Sequence, residues 1–318
     1  MRPVKKRRND PDKQRDLQMT KLLSLSEAIS RNVHDGDTVY AAGFTHLIPF
    51  AAGHEIIRQG KRDLVLARAT PDLIYDQMVA AGCARKVIFS YMGNPGVGSL
   101  RIVRSEIEAG RLEWEEYSHF GMISRLQAGA AGLPFMPMNQ TAAGDLEHAN
   151  PQIRRVTDPY SGREVITVPA LNPDVAIIHV QRADQDGNAH LWGIVGEQKE
   201  VAFAARRVIL TTEEIVEGAV IRSDPNRTLI PGFIVGAVCH VPYASHPSYA
   251  QGYYDRDNDF YLKWDKVSES AEAVRSYLDE WVYDVKNRAD YWQKLGRDVH
   301  QRLAVKPRPS AVVNYGEY

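Results

Sequence analysis

The stretch Ala41-Ala42-Gly43-Phe44-Thr45-His46-Leu47-Ile48-Pro49 ends an apolar run on a glycine and opens an amphipathic run at a proline. Gly43 lets backbone approach a ligand closely, and free N–H groups at the following helix start can hold a developing negative charge. By itself the pattern also describes an ordinary strand-to-helix turn. A second stretch, Ala183-Asp184-Gln185-Asp186-Gly187-Asn188, follows the apolar run DVAIIHVQ. Asp-Gly-Asn is first of all a tight-turn sequence, because glycine and asparagine tolerate positive φ. A third, Ser90-Tyr91-Met92-Gly93-Asn94-Pro95-Gly96-Val97-Gly98-Ser99, is glycine-rich like a phosphate-cradling loop. No Gly-Lys-Ser/Thr follows it, which speaks against a nucleoside-triphosphate site. Arg101 and Arg104, just beyond, suit an anionic group or, equally, a solvated helix face. His46, His179, His240 and His246 match no metal-ligand spacing, so no metal is expected; we read them as structural, with His46 the exception worth testing.

These stretches sit among alternating apolar runs and amphipathic segments, the pattern of an α/β layer. The spacing predicts a helix over 25–33 with Ser26 as its cap, a turn over 34–37 and a buried strand over 38–42. Helices are expected over 49–58, from about Pro71, over 100–109 and through Ala131. Strands are expected over 64–67, 87–91, 112–117 and 133–136. Residues 139–158 are polar and without a clear period, and read as a long loop. The most apolar strands are expected over 164–168, 174–181 and 207–211, with a helix over 199–205. Such continuously apolar strands suit a sheet covered on both faces. From 268 to 303 the spacing of Val274, Tyr277, Leu278, Val282, Tyr291 and Trp292 is helical, predicting a helical tail packed on the domain or on a partner.

With 318 residues, 44% hydrophobic and 25% charged, the chain can bury a large core. A net charge of -1 gives no global pull toward nucleic acid or a membrane. Any anion it binds is caught locally. Cys83 and Cys239 each lie in an apolar stretch, which fits buried thiols in a reducing compartment, hence the cytoplasm. The start MRPVKKRRNDPDKQR lacks the apolar segment of a secretory signal, and Asp10, Asp12 and Asp16 argue against a transit peptide. No run of about 18 apolar residues is present to span a membrane.

The first two stretches, in this order and about 140 residues apart, resemble the signatures of class I coenzyme A transferase A-subunits. In that family a strand ending in glycine leads through a short loop to proline, and A-D-x-x-G-N closes a later strand. EIIRQG (55–60), AAGLPFMP (130–137), VTDPYSGREVITVPALNPDVAIIH (156–179), TTEEI (211–215), IPGFIVGAV (230–238), VPYASHPS (241–248) and EWVYDVKN (280–287) resemble the A-subunit (alpha subunit) of glutaconate coenzyme A transferase in particular. The resemblance covers about residues 22–303.

It implies an open α/β coenzyme A transferase-type sheet flanked by helices, with a helical C-terminal extension. The expected division is a flexible basic tail (1–21), the A-subunit domain (22–263), the helical extension (264–305) and a tail (306–318). It implies transfer of coenzyme A between an acyl thioester and a free acid, glutaconate-like or related, with coenzyme A entering as the acyl-CoA substrate. The nucleophilic glutamate of the family belongs to the B-subunit, so the expected partner is that second chain, in a higher hetero-oligomer. Glu217-Gly218 is the nearest such context here, and we do not read Glu217 as the nucleophile. Gly43, Phe44 and Thr45 are then the oxyanion side. His46, Asn94, Gly96, Val97 and Arg101 fall where substrate contacts are expected, while Asp184, Gly187 and Asn188 form the motif turn. His46-Leu47-Ile48 replaces charged residues of the glutaconate type, in a loop one residue shorter, and Pro95 replaces a hydroxyl residue. Both changes make the acyl pocket look less cationic than a dicarboxylic acid would favour. Ring-opening hydrolases and acyl-CoA decarboxylases share this scaffold, and a non-catalytic scaffold role is the third alternative.

Overall fold

A computed structural model describes residues 20–94, 98–138 and 144–305. Its centre is a seven-stranded parallel sheet. The strands of that sheet and its flanks, in chain order, are β1 (Thr38–Ala41), β2 (Leu64–Ala67), β3 (Ala84–Phe89), the short hairpin β4 (Gly93–Asn94) and β5 (Gly98–Ser99), and β6 (Glu113–Glu116). There follow β7 (Phe135–Met138), β8 (Arg154–Thr157), β9 (Glu164–Pro169), β10 (Val175–Ala183), β11 (Ala189–His190), β12 (Arg207–Ile215), β13 (Thr228–Ile230) and β14 (Ala237–His240). Parallel pairing runs β6-β3-β2-β1-β10-β12-β14, while β11 and β13 extend one end of β10 in antiparallel fashion. Strands β7, β9 and β8 form a separate antiparallel sheet.

Side chains alternate between two cores, as a pleated strand covered on both faces requires. Val39 and Ala41 enter one core with Leu64, Leu66 and Ile177, and Tyr40 and Ala42 enter the other with Val65, Ala67 and Ile178. The first core is closed by Phe260, Tyr261 and Trp264 of the helix Asn258–Val267 and by Val274, Tyr277 and Leu278 of the helix Ala271–Leu278. The C-terminal helices thus pack on the domain itself. The helix Asn258–Val267 begins before residue 264 and belongs to the same core on both sides of it.

Several local expectations are corrected. The first helix, Leu25–Asn32, is capped by Ser24 rather than Ser26: Ser24 and Glu27 bond reciprocally as a capping box, which Ser26 is placed too late to do. Strand β12 runs on through Ile215, because the carboxylate of Glu213 is satisfied inside the protein and does not end the strand. Within the expected long loop lie a short helix, Leu146–Ala149, and the strand β8. Every residue of β8 is exposed and it pairs along one edge only, so no apolar alternation betrays it. Cys83 and Cys239 are buried as expected, and burial pushes their thiols up to about 11 and about 12. Among the described residues no helix is long and apolar enough to cross a membrane.

Candidate active site

After β1 the chain builds outward to β2, β3 and β6 on one side, then returns to add β10, β12 and β14 on the other. Strand order therefore reverses between β1 and β10. In open α/β sheets ligands bind outside the carboxyl ends of the strands at such a reversal. The Gly43 loop occupies that position.

The loop is tightly constrained. Gly43 has φ +125°, and Thr45 and Leu47 are themselves in the left-handed region at φ +56° and +54°. A Cβ at Gly43 would lie 2.7 Å from the carbonyl oxygen of His46 and 2.9 Å from that of Leu47, so only glycine fits. The carbonyl of Gly43 accepts a hydrogen bond from Nη2 of Arg68, a side chain 1% exposed at the carboxyl end of β2. Ser248 Oγ donates to the carbonyl of Thr45 at 2.9 Å. On the outer side, Phe44 meets the ring of His119 edge-on at 6.4 Å between centroids, and Thr70 Oγ1 lies 2.8 Å from Nε2 of His119. The segment following β11 closes on Phe44, since a Cβ at Gly196 would lie 2.6 Å from that of Phe44.

Around this point the surface is apolar and open. Tyr91, Phe120, Ile194 and Val195 are all exposed. Two large cavities, about 490 and 470 Å³, lie among the C-terminal helices and are not lined by Gly43, Phe44 or Thr45. Within the loop Gly43 and Thr45 are buried and Phe44 is half-buried, so the exposed apolar side chains flank the loop rather than belong to it.

His46 is placed otherwise than expected. Its ring is fully buried, with Nδ1 2.9 Å from the carbonyl of Ile194 and Nε2 accepting from the N–H of Gln251 at 3.0 Å. Burial pulls it down to about 4, so it is a neutral ring tying the loop to its neighbours rather than facing a ligand. Leu47 and Ile48 are fully buried too. The absence of charge at these three positions therefore does not describe the acyl pocket, and the inference against a dicarboxylic acid drawn from them falls. Arg101 is held in a two-bond pair with Asp265 at 3.0 and 3.2 Å, at the far end of the β4–β5 hairpin. Asn94 pairs with Gly98 in that hairpin, and Gly96, Val97 and Pro95 lie outside the described residues.

The second motif is a turn that fastens the sheet. Asp184 Oδ1 accepts from the N–H groups of Asp186 and Asn188 at 3.0 and 2.9 Å, and Oδ2 accepts from the Asn188 amide at 2.9 Å. Gly187 has φ +88°, and Asn188 Oδ1 accepts from the N–H of Gly232 at 2.8 Å. His179 and His246 are buried beside Glu213 and Asp257, at 2.7 and 3.0 Å, in keeping with the structural reading. Among the described residues no group of three metal-ligating side chains occurs.

Residues 22–240 match the family model described as Coenzyme A transferase. The chain belongs to the coenzyme A transferase family. It is 49% identical over 280 residues to the A-subunit of 3-oxoadipate CoA-transferase from Pseudomonas knackmussii, covering 87% of this chain and 99% of that one. The A-subunit of glutaconate CoA-transferase from Acidaminococcus fermentans is 36% identical, covering 91% and 96%, and the crystal structure of that enzyme superposes with a TM-score of 0.85 over the same shares. The structure of a decarboxylase, AibA/AibB, matches with a TM-score of 0.70 at 30% identity, covering 82% of this chain and all of that one. This coenzyme A transferase chain is thus of the A-subunit type, with a mostly parallel α/β sheet and C-terminal helices.

Arg68, Thr70 and His119, which surround the loop, were missed by motif reasoning. The signal for Arg68 was present: a lone charge inside the apolar run LVLARA.

Proposed function

We propose that the chain supplies the oxyanion side of an active site completed by a B-subunit that carries the nucleophilic glutamate. The glutamate carboxylate attacks the thioester carbonyl, expelling coenzyme A thiolate and leaving an acyl-glutamyl anhydride. The thiolate then attacks the glutamyl carbonyl, releasing the first acid and leaving glutamyl-coenzyme A, and the acceptor acid reverses both steps. Each attack places negative charge on a carbonyl oxygen. The N–H groups of Gly43 and Phe44 are the donors offered to it, with Thr45 completing the loop, because the backbone there is constrained before the reaction begins. The observation that carries this reading is the constrained Gly43 loop at the carboxyl end of β1, at the reversal of strand order and flanked by exposed apolar side chains. Tyr91, Phe120, Ile194 and Val195 form the surface for the partner. A hetero-oligomer in the cytoplasm fits this reading, supported by the two unpaired buried thiols.

The acid is a short dicarboxylic one, with 3-oxoadipate the first candidate, supported by the 49% identity to a chain of a 3-oxoadipate transferase. The test is a panel of four- to six-carbon dicarboxylic and monocarboxylic acceptors with succinyl-coenzyme A and the co-expressed pair. A 3-oxo dicarboxylic acid giving the highest kcat/KM is expected; preference for a monocarboxylic acid overturns the substrate class. The similarity to AibA/AibB favours a second reading, decarboxylation on the same scaffold, which release of carbon dioxide without exchange of coenzyme A would establish.

A further inference from the structure

Beneath the Gly43 loop lies a buried charge that motif reasoning did not use. Arg68 is 1% exposed, and its Nε and Nη1 have no hydrogen-bond partner among the described residues. Among the described residues its guanidinium makes one hydrogen bond, from Nη2 to the carbonyl of Gly43, and its Cζ lies 5.9 Å from the centre of the Tyr75 ring. Charged donors are rarely left unsatisfied in a core, because water would otherwise solvate them. Two buried carboxyl groups, Glu197 and Asp72, feel its field: burial raises both and the Arg68 charge lowers both. Glu197 is tied in turn to the Tyr40 hydroxyl at 3.0 Å, and Tyr40 accepts from the N–H of Ala69 at 3.0 Å, which holds the end of β2 against β1.

The carbonyl that Arg68 grips belongs to the same peptide unit as the N–H of Phe44. A cation bound to the oxygen of a peptide draws electron density from its nitrogen and makes its N–H a stronger donor. The peptide sits in close quarters, since a Cβ at Gly43 would meet the carbonyls of His46 and Leu47 and a Cβ at Gly196 would meet that of Phe44. We propose that Arg68 is a positioning residue that fixes and polarises the Gly43–Phe44 peptide, making the Phe44 N–H the principal donor to the thioester oxyanion. This rests on the oxyanion-side reading of the loop. It gives a reason for an arginine at a position where two of its nitrogens have no hydrogen-bond partner among the described residues.

The test uses the assembled pair with the partner's nucleophilic glutamate replaced by alanine, so that bound acyl-coenzyme A stays intact. The thioester carbonyl is labelled with carbon-13 and its infrared stretch compared free and bound. With unaltered Arg68 the bound carbonyl is expected at lower frequency than the free one. In Arg68→Met most of that displacement is lost while acyl-coenzyme A still binds, and in the active pair kcat falls roughly tenfold or more with KM little changed. Because Arg68→Met leaves Glu197 without its counter-charge, Arg68→Met with Glu197→Gln is measured beside it, and the same loss is expected. A full carbonyl displacement in either assembled variant overturns the proposal, whatever happens to the thermal midpoint. No displacement with unaltered Arg68 overturns the placement of the oxyanion side, and this proposal with it.

Discussion

Replacing Gly43 with alanine isolates the loop's contribution most cleanly. The new methyl carbon would stand 2.7 Å from the His46 carbonyl oxygen, and reaching the roughly 3.4 Å of ordinary contact requires the backbone to open by about 0.7 Å. The obstructing atoms are backbone oxygens, which no rotamer change can remove. At φ +125° the residue adds about 1–3 kcal/mol of conformational strain. A displacement of that size at an oxyanion donor costs about a hundredfold in kcat, near 2.7 kcal/mol at 1.36 kcal/mol per decade. Coenzyme A exchange by the co-expressed pair, with assembly followed by size-exclusion chromatography, gives both readouts. Gly36→Ala is the control: Gly36 has φ +85° but nothing within 4 Å of its Cβ position. It is expected to lose about 1 kcal/mol of stability and no kcat. An assembled Gly43→Ala pair turning over at the unaltered rate would refute the role of the loop.

Asp184→Ala removes the acceptor for three hydrogen bonds within the 184–188 turn, at a cost of about 3 kcal/mol in denaturant unfolding. The kcat of the fraction still assembled should be unchanged, and a lowered kcat with stability intact would give the turn a role in chemistry. Burial holds His54 down to about 3, with Nε2 2.8 Å from Oε1 of Gln77. The unfolded chain takes up this proton near pH 6.5 and the folded chain does not, so the contribution is present at pH 7 and lost as pH falls toward 3. Asp76, raised to about 6 by burial, works in the opposite direction, so the comparison is between the unaltered chain and His54→Gln. Relative to that variant the unaltered chain should lose about 2 kcal/mol between pH 7 and pH 5 in urea unfolding, and a constant difference would contradict the neutral buried ring.

The parallel strands were legible because each is a short run buried on both faces, as in LVLA of β2 and VAIIHV of β10. Helix starts were legible where a cap or proline precedes an apolar period, and Ser24 against Ser26 shows the limit when two candidates lie close together. Strand β12 was shortened in reading because Glu213 and Glu214 look like surface residues, yet Glu213 is buried among His179, Tyr243 and Tyr254. The glycine loop was recognisable as a motif, but which way its side chains turn was not. His46, Leu47 and Ile48 point into the protein because the left-handed backbone at Thr45 and Leu47 redirects them, which no periodicity announces. The contact between Arg68 and Gly43 joins the ends of two adjacent strands, and only the sheet order brings them together.

The central claim, an oxyanion side here and a nucleophile on a partner, is tested most directly by intact-protein mass spectrometry. The pair is mixed with acyl-coenzyme A and the mass of each chain is read with and without borohydride. The account predicts a borohydride-sensitive coenzyme A adduct on the partner and an unmodified mass for this chain. An adduct on this chain, or turnover with no adduct on either, would contradict it.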